Sequence, residues 1–309
     1  MRKTFINTLV ELARVDDRIF LITPDIGYSV LEVFMKEFPD RFLNVGVAEQ
    51  NAVGIAAGMA LNGLIPYVYT INPFVCMRPF EQIRVDVAYM NTNVRIVGVG
   101  AGFSYGSAGA THHSIEDIAI MRVLPNMTVI CPGDPWEVTE AVKASVDYKG
   151  PMFFRLGKHG EPVINNPKTI FKIGKAIKVR SGKDLSIITT SNTLEIGNNI
   201  CEILKQKKIS SSLISMHTMK PFDVKIINAL LKTGKPIFTI EEHNIIGGLG
   251  SAVSEVIAES GFNPLFKRFG VNDMFSHYVG GHDYIRSKFG ITKEKISKSI
   301  LKIIEKNRK

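Results

Sequence analysis

The feature that most constrains the fold is an alternation of short, β-branched apolar runs with stretches of helical periodicity. This alternation predicts parallel strands joined by crossover helices, which is the α/β class. The first half of the chain has predicted strands at Ile19–Thr23, Leu43–Val45, Ile65–Tyr69, Val94–Val99, Met127–Cys131 and Met152–Leu156. Between them lie predicted helices at Thr4–Arg14, Val30–Phe38, Gln50–Leu61, Pro79–Met90 and Pro135–Lys149. We therefore expect a doubly wound, mostly parallel six-stranded sheet over residues 1–160.

The alternation is interrupted once. Residues 157–183 are rich in Gly, Pro, Asn and Lys, and we expect a linker over residues 161–183. A second set of strands is then predicted at Leu185–Thr190, Ser211–Ser215, Ile237–Glu241 and Leu265–Phe269. Its helices are predicted at Leu194–Gln206, Val224–Leu231, Ser251–Ser260 and Lys293–Lys306. The sequence thus predicts a smaller α/β domain over residues 184–309.

Composition excludes several classes of protein. Hydrophobic residues make up 45% of the chain and charged residues 22%, as in ordinary soluble domains. The longest apolar stretch, Ala52–Tyr69, is broken by Gly63 and Pro66, so we expect no membrane span. Glu11 and Arg14 interrupt the apolar segment that a signal peptide would need, so a cytoplasmic location is expected.

The net charge of +9 suits small anionic substrates as well as nucleic acid. No basic run is interleaved with aromatic residues and no nucleic-acid motif occurs, so we expect no binding to nucleic acid. Part of the excess charge lies in Lys293–Lys309, which is predicted to be the solvated face of a last helix. The three cysteines are scattered and form no CxxC pair, so they are expected to pack as small apolar residues.

The first stretch with chemical potential is Asn44–Asn51, NVGVAEQN, where a predicted strand ends and a helix begins. In open parallel sheets, ligand sites gather beyond the carboxyl ends of the strands. Taken locally, Glu49 has a purely structural explanation, because an acid stabilises the positive start of a helix. The small residues of Ala52–Ala60 would then only allow close packing of helix and sheet.

A second stretch, Gly106–Asp117, reads GSAGATHHSIED. Ser114 and Asp117 fit a helix-capping pattern, and the glycines before the two histidines imply a close approach of backbone to another group. No H-x-x-x-H or Cys/His spacing supports a metal site. We therefore expect His112 to act in hydrogen bonding or acid–base chemistry rather than as a metal ligand.

A third stretch, Glu241-Glu242-His243 followed by Gly247–Val253, superficially matches a dinucleotide-binding turn. The pattern G-x-G-x-x-G fails because Val253 occupies the third glycine position. Two carboxylates at the end of the strand would also repel a pyrophosphate. This stretch is therefore predicted to be a structural turn or a contact surface.

The order of these stretches is more informative than any one of them. GVAEQN, a helix with Ile83 and Arg84 preceded by aromatic residues, GATHHSIEDIAIMRVLPNM and IEEHNIIGGLGSAVSEVI follow one another. In this the chain resembles the pyrimidine-binding and C-terminal domains of the transketolase family over nearly its whole length. The resemblance matches Glu49 to the invariant glutamate of that family and implies thiamine diphosphate as cofactor. In the family this glutamate hydrogen-bonds a ring nitrogen of the aminopyrimidine and so promotes loss of the thiazolium proton.

The resemblance implies further site residues. An aromatic ring should stack on the pyrimidine, with Phe74 as first choice and Phe80 as rival, although both are equally well explained as core residues. His112 matches the histidine that contacts the substrate carbonyl or hydroxyl. Asp25 matches an acid near the cofactor at the end of the first strand.

The chain departs from the family at three places. Ala108 stands where an acidic residue is usual, and Gly100 replaces a substrate-binding histidine. Lys158, with Arg155 nearby, takes the place of a phosphate-binding arginine. The resemblance therefore implies transfer of a two-carbon ketol unit from a ketose, expected to be phosphorylated, to an aldose, but it leaves both substrates open.

One family motif is absent. In the family a GDG, followed about 25 to 30 residues later by Asn, holds the Mg²⁺ that bridges the diphosphate. Here Gly133-Asp134 is followed by Pro135. The resemblance thus implies the C-terminal subunit of a split transketolase, with an N-terminal partner subunit that supplies the diphosphate domain and most of the Mg²⁺ site in an α2β2 heterotetramer.

Three alternatives remain open at this stage. Two share the expected fold: the beta subunit of a 2-oxo acid dehydrogenase and a deoxyxylulose-phosphate synthase fragment. The residues THHSIED and the following LPNM are closer to transketolase. The third alternative is a non-catalytic assembly subunit, against which the retention of Glu49 and His112 argues.

Overall fold

Two sheets with flanking helices make up the chain, seen here in a computed structural model that describes residues 1–158 and 160–307. The strands of the first half are β1 Ile19–Thr23, β2 Phe42–Asn44, β3 Ile65–Ile71, β4 Arg95–Val99, β5 Thr128–Ile130 and β6 Met152–Leu156. Its helices are α1 Arg2–Ala13, α2 Glu32–Glu37, α3 Glu49–Leu61, α4 Asn72–Met77, α5 Phe80–Gln82, α6 Asp117–Arg122 and α7 Pro135–Val146.

The second half contains five further helices and six strands. The strands are β7 Ile177–Arg180, β8 Leu185–Thr189, β9 Ser211–Ser215, β10 Thr218–Lys220, β11 Ile237–Asn244 and β12 Phe266–Val271. The helices are α8 Leu194–Gln206, α9 Val224–Leu231, α10 Leu249–Ser260, α11 His282–Phe289 and α12 Lys293–Asn307. Residues 308 and 309 of the predicted basic tail lie outside the described residues.

The first sheet has the strand order β10-β5-β6-β4-β3-β1-β2. Its six strands from the first half are mutually parallel, which confirms the predicted doubly wound α/β fold. A seventh strand, β10, comes from the second half and pairs antiparallel with β5. It was not predicted, because a three-residue strand carries almost no periodic signal.

The second sheet has the order β12-β11-β8-β9-β7, in which only β7 is antiparallel to its neighbour. Strand β7 lies within residues 161–183, where we predicted a linker. Its sequence IKVR places basic side chains at alternate positions of an edge strand. Such residues protect an exposed edge from unwanted pairing, but in a sequence they look like linker.

Helix boundaries differ from prediction mainly between residues 79 and 90. The single predicted helix Pro79–Met90 is a short α5 followed by a π-helix over Ile83–Tyr89. Three helices, α4, α6 and α11, were not predicted, because a segment of six to eight residues is too short for a clear helical period.

The core lies on both faces of the first sheet. Strands β3, β4 and β6 are buried along their whole length. Alternate side chains enter two clusters, with Ile96 and Phe153 on one face and Val97 and Phe154 on the other. All three cysteines are buried and free, as expected. With both faces covered, polar chemistry is confined to the loops beyond the carboxyl ends of the strands.

Within the described residues no helix is long and apolar enough to cross a membrane.

Candidate active site

The site is built around Glu49, the first residue of α3, which a short loop separates from the end of β2. The residue is buried, with 3% of its surface exposed. Its Oε1 accepts a hydrogen bond of 2.7 Å from Nη1 of Arg78, whose side chain is 43% exposed. Its Oε2 accepts none from any described residue. One oxygen of a buried carboxylate is thus held by a cation and the other is available.

An aromatic ring lies beside this ion pair. The guanidinium carbon of Arg78 is 4.2 Å from the ring centroid of Phe74 in α4, and the ring of His112 lies edge-on at 5.1 Å from the same centroid. Phe80, the rival aromatic residue, packs against the hydrophobic core instead. The fold therefore brings Glu49, Phe74, Arg78 and His112 together from three separate segments.

His112 ends a short 3₁₀ turn, Ala110–His112, and is half-buried. Its Nδ1 lies 2.9 Å from Oγ1 of Thr111. Burial lowers the pKa of His112, and the charge of Arg78 lowers it further. The imidazole is consequently neutral near pH 7, and its Nε2 can donate or accept a hydrogen bond according to the tautomer.

The glycines before His112 do permit a close approach of backbone. A Cβ on Gly106 would lie 2.6 Å from the carbonyl oxygen of Gly280. The loop that carries His112 is thereby packed against the segment that precedes α11. The glycine-rich pattern thus sets the position of the histidine loop.

Asp25 follows β1 and adopts a positive φ of 55°. It is tied to Asn44 at the end of β2: the Asp25 amide donates to Asn44 Oδ1 at 3.0 Å, and Asn44 Nδ2 donates to Asp25 Oδ1 at 3.1 Å. Asn44 also accepts from the amide of Gly46 in the loop that leads to Glu49. Asp25 thus lies at the same edge of the sheet, where it fixes the strand ends rather than joining the ion pair of Glu49.

A basic group borders the site. The ring of Tyr105 covers Gly100, because a Cβ on Gly100 would lie 2.1 Å from Tyr105 Cδ2. The ammonium of Lys158 is 4.5 Å from the centroid of this ring, and the ring lies 6.3 Å from that of His112. Tyrosine thus fills the space over Gly100, the position where the resemblance implies that the family's substrate-binding histidine is replaced.

Arg2, at the start of α1, belongs to the same basic group. Its Nε donates to the carbonyl oxygen of Lys158 at 3.0 Å. Burial raises the pKa of Tyr105, and the positive charge of Arg2 opposes that rise. Arg2 was missed by the sequence reasoning, since one arginine near an N-terminus carries no pattern of its own.

Arg155 is excluded from substrate contact in this structure. It is fully buried in an ion pair of 2.6 Å between its Nε and Oδ2 of Asp117, and it donates to the carbonyl oxygens of Ser114 and Glu242. Both faces of β6 are covered, so a side chain on either face of this strand lies in the protein interior. Of the two cations considered for an anionic substrate, only Lys158 remains at the site.

The predicted capping role of Ser114 and Asp117 is wrong. Asp117 begins α6 but caps no backbone amide; it also accepts a hydrogen bond from Asn72. The hydroxyl of Ser114 is buried and has no partner among the described residues. The capping pattern failed because Asp117 instead neutralises the buried Arg155, a contact that the local sequence does not reveal.

The stretch around Glu241 is a structural turn, as predicted. The two carboxylate oxygens of Glu241 accept hydrogen bonds from the amides of Leu249 and Gly250 at 2.7 and 2.8 Å, and so cap the start of α10. A Cβ on Gly248 would lie 2.0 Å from Glu241 Oε2, which explains the glycine.

The described residues contain no group of three or more His, Cys, Asp or Glu side chains placed to hold a metal ion. Gly133-Asp134-Pro135 is the start of α7, where the carboxylate of Asp134 accepts from the amide of Glu137. The site therefore fits an aromatic ring with a basic nitrogen, for which it offers a carboxylate and a stacking partner. It does not fit a metal-bound diphosphate, for which these residues offer no ligands.

Comparison with known families agrees with this geometry. The family "Transketolase, pyrimidine binding domain" matches residues 1–160, and "Transketolase, C-terminal domain" matches residues 174–296. The chain belongs to the transketolase family. The resemblance noted from the sequence motifs is thereby confirmed.

Two relatives of similar length are informative. A putative transketolase C-terminal section of Methanocaldococcus jannaschii is 40% identical over 99% of this chain and 96% of its own. One of the subunits of an apulose-4-phosphate transketolase, from Phocaeicola vulgatus, is 39% identical over 99% of this chain and 97% of its own. This transketolase-family chain is thus similar in extent to single subunits.

Among solved structures, a split-gene transketolase in an inactive beta4 tetramer covers 98% of this chain and 98% of its own, with a TM-score of 0.90 at 34% identity. The fold of this transketolase-family chain therefore matches that of the split-gene protein over nearly the full length of both chains.

Proposed function

We propose that the chain is the C-terminal subunit of a split, thiamine-diphosphate-dependent transketolase that transfers a two-carbon ketol unit from a ketose to an aldose. The observation that carries the proposal is a buried carboxylate with one available oxygen, at Glu49, beside the ring of Phe74 and the neutral imidazole of His112. Bound thiamine diphosphate supplies the carbon nucleophile for such a transfer.

Each residue then has a definite task. Glu49 accepts or shares a proton at a pyrimidine ring nitrogen, which a carboxyl group can do and a carboxamide cannot. Phe74 provides a stacking face for the pyrimidine. His112, neutral near pH 7, hydrogen-bonds to the carbonyl or hydroxyl oxygen of the substrate. Asp25 holds the loops that position Glu49.

The donor is proposed to be anionic. Lys158 lies over the ring of Tyr105, which is 6.3 Å from that of His112, and Arg2 is bound to the carbonyl of Lys158, so the two cations form a positively charged end to the site. The Phocaeicola vulgatus relative is named for a sugar phosphate, which agrees with such a substrate. A phosphate or similar anion on the sugar would be drawn there by charge.

The proposal requires a partner chain, because these residues offer no ligands for a metal-bound diphosphate. Helix α3, which begins with Glu49, has an exposed stripe that includes Gln50, Gly54, Gly58 and Leu61. Its only charged residue is Glu49, and a helix that is apolar all round is normally buried. We propose that a partner subunit covers this stripe and supplies the diphosphate domain in an α2β2 heterotetramer.

The test uses the chain co-purified with a partner that carries GDG and a downstream Asn. With thiamine diphosphate and Mg²⁺, the complex should form products from a phosphorylated ketose and an aldose, and the lone chain should not. Glu49→Gln should reduce kcat by roughly 10²-fold or more, the scale of a lost proton-transfer group. Glu81→Gln, at an exposed glutamate of α5, is the matched control.

Three results would contradict the proposal. They are ketol transfer by the lone chain, full activity of Glu49→Gln in the complex, and turnover of pyruvate but not of any ketose. The last result would favour the 2-oxo acid dehydrogenase or deoxyxylulose-phosphate synthase alternative. Full activity of Glu49→Gln would favour a non-catalytic assembly subunit.

A further inference from the structure

Arg78 engages the two side chains that the proposed function assigns to the cofactor's aminopyrimidine ring, Glu49 and Phe74. Its Nη1 donates to Glu49 Oε1 at 2.7 Å, and its guanidinium lies 4.2 Å from the centroid of Phe74. No other described side chain donates a hydrogen bond to the Glu49 carboxylate. A single planar group thus engages both the carboxylate and the aromatic ring.

The chemistry of the two groups is similar. A guanidinium is planar, delocalised and rich in N–H donors, and it both pairs with carboxylates and stacks on aromatic faces. A protonated aminopyrimidine would likewise be a flat donor with a π-face. Glu49 and Phe74 therefore present a surface that either group can satisfy, but the ring face of Phe74, which the guanidinium covers, cannot hold both groups at once.

Arg78 is placed to leave this position. It directly follows α4 as the C-terminal capping residue, and its side chain is 43% exposed, so solvent can receive it without disturbing the core. Glu49, in contrast, is almost fully buried and fixed at the start of α3. If one of these partners moves, it is the arginine.

We infer that Arg78 is a placeholder that occupies the aminopyrimidine position in the cofactor-free chain and must be displaced when thiamine diphosphate binds. The inference rests on the proposed function. Its benefit to the chain is electrostatic, since a buried carboxylate without a partner is costly. Arg78 keeps Glu49 paired until the cofactor arrives, and its competition lowers the apparent affinity for the cofactor.

The test is isothermal titration of the assembled two-chain complex with thiamine diphosphate in the presence of Mg²⁺. Arg78→Met removes the charge and the planar group and keeps the length of the side chain. Since a half-exposed ion pair and a cation–π contact no longer compete, the Kd should fall by roughly 5- to 30-fold. Arg84→Met is the matched control, because Arg84 lies at the surface, where Glu81 is its sole ion-pair partner among the described residues. The Kd of the Arg84→Met complex should not change.

A second measurement separates displacement from a general effect of the substitution. Methylguanidinium added at millimolar concentration should raise the Kd of Arg78→Met towards that of the original complex, because the free cation can reoccupy the vacated position. The same addition should leave the Kd of Arg84→Met unchanged. Thermal unfolding of both variants establishes that they are folded.

Weaker cofactor binding by Arg78→Met than by the unmodified complex would overturn the inference, since Arg78 would then be holding Glu49 in place for the cofactor. An unchanged Kd would overturn it as well. If the unmodified complex bound no thiamine diphosphate at all, the proposed function itself would fail, so the two failures are distinguishable.

Discussion

At the scale of single residues, the two cations near the end of β6 illustrate how position decides function. Arg155 is within the strand and buried against Asp117, whereas Lys158 lies two residues beyond the strand end, next to Tyr105. Sequence alone could not separate them, since both are cations in the same short segment.

Replacing Arg155 should affect folding. Arg155→Met leaves Asp117 buried without its cation, which typically costs about 3–5 kcal/mol in the free energy of unfolding. Urea denaturation measures this, and the double variant Arg155→Met/Asp117→Asn should recover part of the loss. If Arg155→Met left stability unchanged but raised the KM for the donor, the structural assignment would be wrong.

Replacing Lys158 should affect substrate binding. Lys158→Met in the complex should raise the KM for a phosphorylated donor by roughly 10-fold with little change in kcat, as expected for loss of an interaction made equally in ground and transition states. Arg2→Met should act in the same direction. Lys168→Met, at an exposed lysine, is the control. An equal rise in the KM for a neutral ketose would argue against an anion-binding site at Lys158 and Arg2.

Some site residues could be found from the sequence, and others only from the structure. Glu49 and His112 stand within sequence motifs, so a family pattern points to them. Arg78 and Arg2 do not, because their contacts depend on where α4 ends and on where the first turn of α1 meets the end of β6. Phe74 and Phe80 were indistinguishable in the sequence; in the structure Phe80 packs against the core and Phe74 lies beside Arg78.

At the scale of elements, most of the alternating strands and helices were predictable, and five of them match the structure in both bounds. The predicted β1, β6, β9, α8 and α9 match the structure in both bounds. Strands β7 and β10 were missed because their pairing is decided by distant partners. Residues 163–166, read as linker, are also held firmly, since Asp134 accepts from the amides of Ile164 and Asn165.

The start of α7 predicts a dependence of stability on pH. Glu137 is fully buried, accepts from the Gly133 amide and from Asn165, and burial together with the charge of Asp134 raises its pKa to about 7. The folded chain therefore keeps a proton that the unfolded chain, with a pKa of 4.5, releases. The contribution of protonated Glu137 to the stability of the fold is complete below pH 4.5 and is lost as the pH rises through 7.

Glu137→Gln removes this titration. The free energy of unfolding should then fall less between about pH 5 and about pH 8 than it does in the unmodified chain. Chemical denaturation at several pH values gives the comparison, with Glu140→Gln, in a surface ion pair with Lys143, as control. An identical pH profile for Glu137→Gln would show that Glu137 is ionised throughout.

At the scale of the whole molecule, the exposed stripe of α3 is the feature that a single chain does not explain. A Cβ on Gly54 or Gly58 would meet nothing within 4 Å, so the lone chain can accept larger residues there. Leucine also favours a helix by roughly 0.8 kcal/mol over glycine. A partner subunit that packs closely against these glycines would have no room for a leucine side chain in their place.

Gly58→Leu should therefore leave the lone chain at least as stable and yet weaken its association with the partner. Analytical ultracentrifugation of the mixed chains measures the association, and thermal unfolding of the lone chain measures the stability. Lys298→Leu, at an exposed position of α12, controls for added hydrophobic surface. Unchanged association would place the interface elsewhere on the molecule.

Strand β10 has a consequence for any attempt to dissect the chain. It closes the β5 edge of the first sheet with residues that follow three strands of the second sheet. A fragment cut after residue 160 would leave the backbone amides and carbonyls of β5 open to any passing strand, a known route to aggregation. The chain therefore cannot be cut cleanly between its two sheets.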